Sequence, residues 1–221
     1  MRNKITFLFV LILSTFVIAN AVAQETMSES TTMKVTSTHV ETHPSQGDIR
    51  VIEGSTATLI SSEAGIAVNM TTDELEENHV YSMWVVMINN PSACEEAPWV
   101  LCPPPQILGN TDELLAEITW GDSIVTGPDT RMEFSAFFPA GDIPKSWYGN
   151  GLTNPTDAHI HLIINDHGEL IPEQASSMMN TYRGGCNDES LPPPFPDIAK
   201  ADGEPGPNSC KLIQFVEFVQ E

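Results

Sequence analysis

Imidazole is the side chain best suited to bind a transition metal or to change charge near neutral pH. Three of the six histidines fall in one stretch, Asp157-Ala158-His159-Ile160-His161-Leu162-Ile163-Ile164-Asn165-Asp166-His167-Gly168. Its alternation reads as a strand. Ala158, Ile160, Leu162 and Ile164 share one face, and His159, His161, Ile163 and Asn165 share the other. Two imidazoles at i and i+2 stand about 6–7 Å apart at their Cα atoms. That pairing suits zinc or copper, with Asp157 or Asp166 as a third ligand or as the group that orients a ring. Gly168 favours a turn, which brings His167 back toward His161 or carries it away. His79, at the start of another strand, completes the candidate metal set: His161, His167, His159, His79 and Asp166. The competing reading is a row of polar groups on a wetted strand face. Met178 and Met179 fit either copper(I), which favours thioethers, or a gap in the core. His39 and His43 lie in a segment with no reason to be helical, so their i,i+4 spacing supports only weak, adventitious binding.

The chain lacks H-E-x-x-H, a P-loop, a dinucleotide fingerprint and a nucleophile elbow. No catalytic residue is assigned, and copper or zinc is the one cofactor class in view. The net charge is −21, from 9 Lys and Arg against 30 Asp and Glu. Such a surface repels nucleic acid and anionic lipid and attracts cations or basic partners.

Residues 1–23 read as a secretory signal peptide. Arg2 and Lys4 precede an apolar run, and Ala21-Val22-Ala23 fits a cleavage site. No other segment is long and apolar enough to span a bilayer. The expected compartment is periplasmic or extracellular, and the expected partner is a metal ion or an exported or surface molecule. Four cysteines fit an oxidising compartment and allow three pairings. Cys94–Cys102 and Cys186–Cys210 are favoured because each pair closes a Pro-rich insertion; a four-thiolate zinc site lacks the C-x2-C spacing.

The elements that must position the histidines follow from the pattern. Residues 24–48, rich in Ser and Thr, read as a disordered leader, and 49–221 as the folded domain. Strands are expected over Ser55–Ser61, Ile66–Met70, His79–Asn90, much of Glu113–Ile124, Arg131–Phe138 and Lys211–Val219. Glu63-Ala64-Gly65 marks a hairpin. His79–Asn90 is apolar almost throughout, as in a strand covered on both faces. Trp99 and Val100 read as cover for a core edge, and Trp147 and Tyr148 as loop packing or ligand contacts. Few helices and stapled loops predict one all-β domain, an antiparallel Greek-key β-sandwich.

The run from Asn78-His79-Val80-Tyr81-Ser82-Met83-Trp84 through Asn90-Pro91 to Cys94 resembles a pattern in exported bacterial proteins, "G-H-x-Y-T-L-W" followed by "N-x-P-x-x-C". Their later "A-E-I-H-L-V-V-R-x-H-G" segment resembles Ala158–Gly168, and their "G-G-C" matches Gly184–Cys186. The resemblance spans the folded region and implies export and architecture, with no activity attached. It carries over to His161 and His167. It departs at Asn78, where the pattern has Gly, and at His159, where it has Glu. A looser likeness is to copper/zinc superoxide dismutase-type Greek-key modules, which also carry His-x-His on a strand; their other ligand segments are not recognisable here. The functional expectation is a non-catalytic binding or structural module with a metal site. The alternative is a copper/zinc metalloenzyme of superoxide dismutase-like architecture.

Overall fold

The structure is a computed structural model that describes residues 32–97, 100–191 and 197–220, the side chains of Tyr148 and Ile198 excepted. The expected signal peptide, Trp99 and the Pro-rich run after Leu191 lie outside the described residues. Residues 31–221 form one compact unit.

The fold is all-β and antiparallel. Its strands are β1 (Lys34–Thr42), β2 (Val51–Ser62), β3 (Gly65–Thr72), β4 (His79–Ile88), β5 (Glu96–Ala97), β6 (Val100–Leu101), β7 (Ala116–Val125), β8 (Met132–Pro139), β9 (Ser146–Gly149), β10 (His159–Glu169) and β11 (Lys211–Phe218). Nine of them form a single ladder in the order β8-β3-β2-β1-β11-β10-β4-β7-β9, while β5 and β6 form a separate small hairpin. The ladder curls into a sandwich. Its half β8-β3-β2-β1 faces β11-β10-β4-β7 across one core, built on Leu59, Ile66, Met70 and Phe134 from one side and Tyr81, Met83, Ile160 and Leu162 from the other. Each such side chain contributes about 1.5–3 kcal/mol on burial. Two seams join the halves. At one, β1 meets β11 through only two paired positions, Glu41↔Phe215 and Thr42↔Gln214. At the other, the Asp122 carboxylate of β7 accepts the Ser135 N–H of β8 at 2.9 Å.

β4 is buried on both faces, as its near-continuous apolar run requires. Tyr81, Met83, Val85 and Met87 face the sandwich core. Trp84, Val86 and Ile88 face a second apolar cluster with Ile107, Leu114, Tyr182, Leu191 and both cysteines of the second bridge. That outer layer is made by the two insertions. The first holds β5, β6, α1 (Pro104–Gly109) and α2 (Thr111–Leu114); the second holds α3 (Ala175–Asn180) and α4 (Asp197–Ala201). Cys94–Cys102 and Cys186–Cys210 are both formed, with Cα separations of 4.7 and 5.4 Å. Among the described residues the opposite half has no such cover. Its outer face carries one apolar row across four strands, Val35↔Ile60↔Ala67↔Phe137. Val35, Ile60 and Phe137 there are exposed.

One boundary is corrected. Residues 34–42, inside the expected disordered leader, form β1 between β2 and β11, so the ordered domain includes Lys34 and not only residues from 49 onward. The segment Val-Thr-Ser-Thr-His-Val-Glu-Thr is poor in aliphatic residues but rich in β-branched ones, which suit a half-buried pleated surface. Val40 is fully buried.

Candidate functional site

The parity of β10 sorts the candidate ligands into separate places. Ile160, Leu162 and Ile164 point into the core, and Asp166 is the next member of that row. The core ends at Ile164, so Asp166 emerges at the open end of the sandwich. Its carboxylate lines a cleft of about 160 Å³ with Thr42, Arg50, Glu76, Tyr81, Lys211 and Gln214 among its walls. β4 delivers His79 to the same place, on the parity of Tyr81. A bulge makes the meeting possible. Asp166 pairs with Tyr81 and Glu169 with His79, so β10 carries one extra residue there. Gly168 accommodates it at φ 79°, where a Cβ would meet Asn208 at 2.9 Å. Asn78 enters β4 at φ 62°. Gly adopts that conformation freely and Asn tolerates it, which is a physical reason for Asn at the position where the resembling pattern has Gly.

At this mouth His79 Nδ1–H donates to Asp166 Oδ1 at 3.0 Å, and Gly168 N–H donates to the same oxygen at 2.8 Å. Asp166 therefore orients the ring and leaves Nε2 free to face Glu76 Oε2 at 3.5 Å. Lys211 Nζ lies 3.6 Å from Glu76 Oε1 and 4.0 Å from Asp166 Oδ2. Two carboxylates against one ammonium leave a negative balance around the imidazole. Glu76, His79 and Asp166 each place a ligand atom within 4.8 Å of the others. With metal bonds of about 2.0–2.1 Å at tetrahedral angles, neighbouring ligand atoms stand about 3.3 Å apart. The His79–Glu76 spacing meets that, with Asp166 as the outer carboxylate that fixes the tautomer. Tyr81 accepts the Glu76 backbone N–H at 2.8 Å, and burial followed by the charge of Asp166 pushes its phenol well above the usual range.

The odd-numbered residues of β10 face the insertions. His167 is wholly buried and both ring nitrogens are used. Nδ1–H donates to the Gly184 carbonyl at 2.8 Å, and Nε2 accepts the Ser82 hydroxyl at 2.7 Å. Ser82 in turn accepts Trp84 Nε1–H at 3.0 Å. Burial lowers the His167 pKa to about 4, so the ring is neutral. The Ser82–His167 contact has the geometry of a nucleophile and base, but both side chains are sealed from solvent and a backbone carbonyl stands where a carboxylate would orient the ring. His167 also lies near the sulfurs of Cys186 and Cys210. Those sulfurs are bonded to each other and supply no thiolate.

His159 and His161 lie on the same face as His167. His161 is six residues from it, about 20 Å along an extended strand, so the two do not converge. Neither imidazole of the pair is wetted: His159 is 5% and His161 2% exposed. The stapled β5–β6 hairpin reaches Glu217 beside them. Leu101 N–H donates to Glu217 Oε1 at 2.9 Å, and Glu217 is the cross-strand partner of His161 on β11. His161 Nε2 stands 3.5 Å from the same oxygen, and Phe215 packs edge-on against the ring.

Met178 is buried under Gly185 and accepts the Ile171 N–H through sulfur at 3.4 Å, the role of a gap filler. Trp147 packs tilted against Trp84 and edge-on against Tyr182, with centroids 4.4 and 4.5 Å away. His39 pairs with Glu41, and His43 caps the 3-10 turn Pro44–Gln46 by accepting the Ser45 N–H.

Sequence reasoning missed Glu76 and Glu217. The signal for Glu217 was the strand register of two segments over fifty residues apart. For Glu76 it was proximity to His79, three residues on. Comparison with protein-family models, with curated proteins and with solved structures finds no match.

Proposed function

We propose that the chain is an exported, non-catalytic binding module that works through the open end of its sandwich. There a divalent first-row ion sits on His79 Nε2 and Glu76 Oε2 with Asp166 behind the imidazole. The observation that carries this reading is the convergence of those three ligand atoms at the rim of a cleft. An ion held by two protein ligands keeps open positions that accept a carboxylate or carbonyl of an exported or surface partner. Two formed disulfides support an oxidising compartment. No helix among the described residues is long and apolar enough to cross a membrane.

Two features favour binding over catalysis. The Ser82–His167 dyad is inaccessible. The threonine next to the mouth cluster, Thr126, is tied into the backbone, donating to the Glu76 carbonyl and accepting the His79 N–H at 3.0 Å. Calorimetric titration of zinc into the purified protein tests the site. His79→Gln should abolish one equivalent of binding, and Asp166→Asn should weaken that equivalent ten- to a hundredfold, as loss of an orienting carboxylate does elsewhere. A titration unchanged by either substitution would remove the basis for the proposal.

A further inference from the structure

A second cluster of ligand-type side chains lies away from the mouth, on the opposite face of β10. His159 and His161 are two apart on one strand, and Glu217 faces His161 from β11. His159 and His161 are buried, and the partly exposed Glu217 holds the Leu101 N–H of the first insertion. His161 Nε2 stands 3.5 Å from Glu217 Oε1, and among the buried polar atoms His159 Nδ1 has no hydrogen-bond partner. That is unusual, because buried polar groups are nearly always paired and an unpaired one costs about 1–3 kcal/mol. The Gln220 backbone faces the His159 ring, and Nδ1 is left without a partner. Two imidazoles and a carboxylate are a donor set for a first-row transition ion, with imidazole suiting zinc, copper, nickel and iron.

We infer that His159, His161 and Glu217 form a second metal site, beside the Cys94–Cys102 hairpin and distinct from the mouth. The three ligand atoms do not all lie within 4.8 Å of one another, so capture of an ion draws His159 toward Glu217. Glu217 also holds the Leu101 N–H, so the ion and the hairpin share one carboxylate. The site differs from the mouth in donor count, two imidazoles against one.

Copper(II) is the probe, because nitrogen hyperfine splitting in its paramagnetic resonance spectrum counts bound imidazoles. The purified His79→Gln protein, with intact disulfides, should retain one copper(II) with a two-nitrogen pattern. His159→Gln on that background should lose the two-nitrogen pattern. Glu217→Gln should weaken binding at least tenfold; its amide oxygen still accepts the Leu101 N–H, so the hairpin stays closed and a folding defect is avoided. Far-UV circular dichroism checks that each variant is folded. A one-nitrogen spectrum in His79→Gln, or tight copper that survives His159→Gln unchanged, overturns the site. So does a copper affinity unaffected by Glu217→Gln.

Discussion

Four histidines of similar sequence character are put to different uses by their neighbours. His167 and His43 are neutral because burial depresses both to about 4. Their linkage to stability has a definite sign. Above the unfolded value of about 6.5 both states are uncharged and stability is full. As the pH falls from there toward 4, the unfolded chain takes up protons that the folded chain refuses, and stability is lost. Each histidine contributes a slope of up to about 1.4 kcal/mol per pH unit in that window. Glu117 acts in the opposite direction, since burial raises its carboxyl and the folded state keeps that proton longer. A His43→Asn protein isolates one histidine, because Asn still caps the Ser45 N–H. Urea unfolding between pH 6 and 4.5 should show a slope about one proton smaller than in the parent, the Glu117 contribution cancelling between the two. An identical slope would mean that His43 is not held neutral. His79 differs from both: a carboxylate orients it, and its Nε2 faces Glu76. His161 differs again, set against Glu217.

At the scale of elements, β10 was legible because its aliphatic residues alternate with a period of two, and β4 because a near-continuous apolar run fits a strand covered on both faces. Ile160, Leu162 and Ile164 could only be inward once the strand was accepted. The two disulfides were legible because Pro-rich insertions need closing. β1 was not legible, since Thr36 and Thr38 count as polar in composition but behave as β-branched in a ladder. Nor was the burial of His159 and His161, because the outer layer on that face is built by segments far away in sequence, such as the hairpin whose Leu101 reaches Glu217. The mouth cluster was half visible. His79 and Asp166 were candidates, but only the bulge at Gly168 brings them together. Because β1 separates β2 from β11, it is structural and not a tether. Deleting residues through His43 should expose both neighbouring ladder edges and abolish cooperative unfolding, read by thermal melting in far-UV circular dichroism. A truncated protein that still melts cooperatively near the parent temperature would restore the leader interpretation.

For the whole molecule, charge and covering pull in different directions. The surplus of acids keeps copies apart at neutral pH, while the row Val35, Ile60, Ala67 and Phe137 leaves apolar surface open on the uncovered half. Near the isoelectric point of about 4.3 repulsion vanishes, and that row should drive self-association. Sedimentation at pH 4.3 should show oligomers that Phe137→Ser reduces and that vanish at pH 7. Association untouched by the substitution would place the sticky surface elsewhere.

The thin junction between β1 and β11 has a consequence for how a bound partner is felt. One of its two paired positions is Thr42↔Gln214, and both side chains line the cleft at the mouth. A ligand lodged there straddles the line along which the shell is least stitched. It acts as a rivet between the two leaves, and any breathing of the molecule along that line is damped in proportion to occupancy.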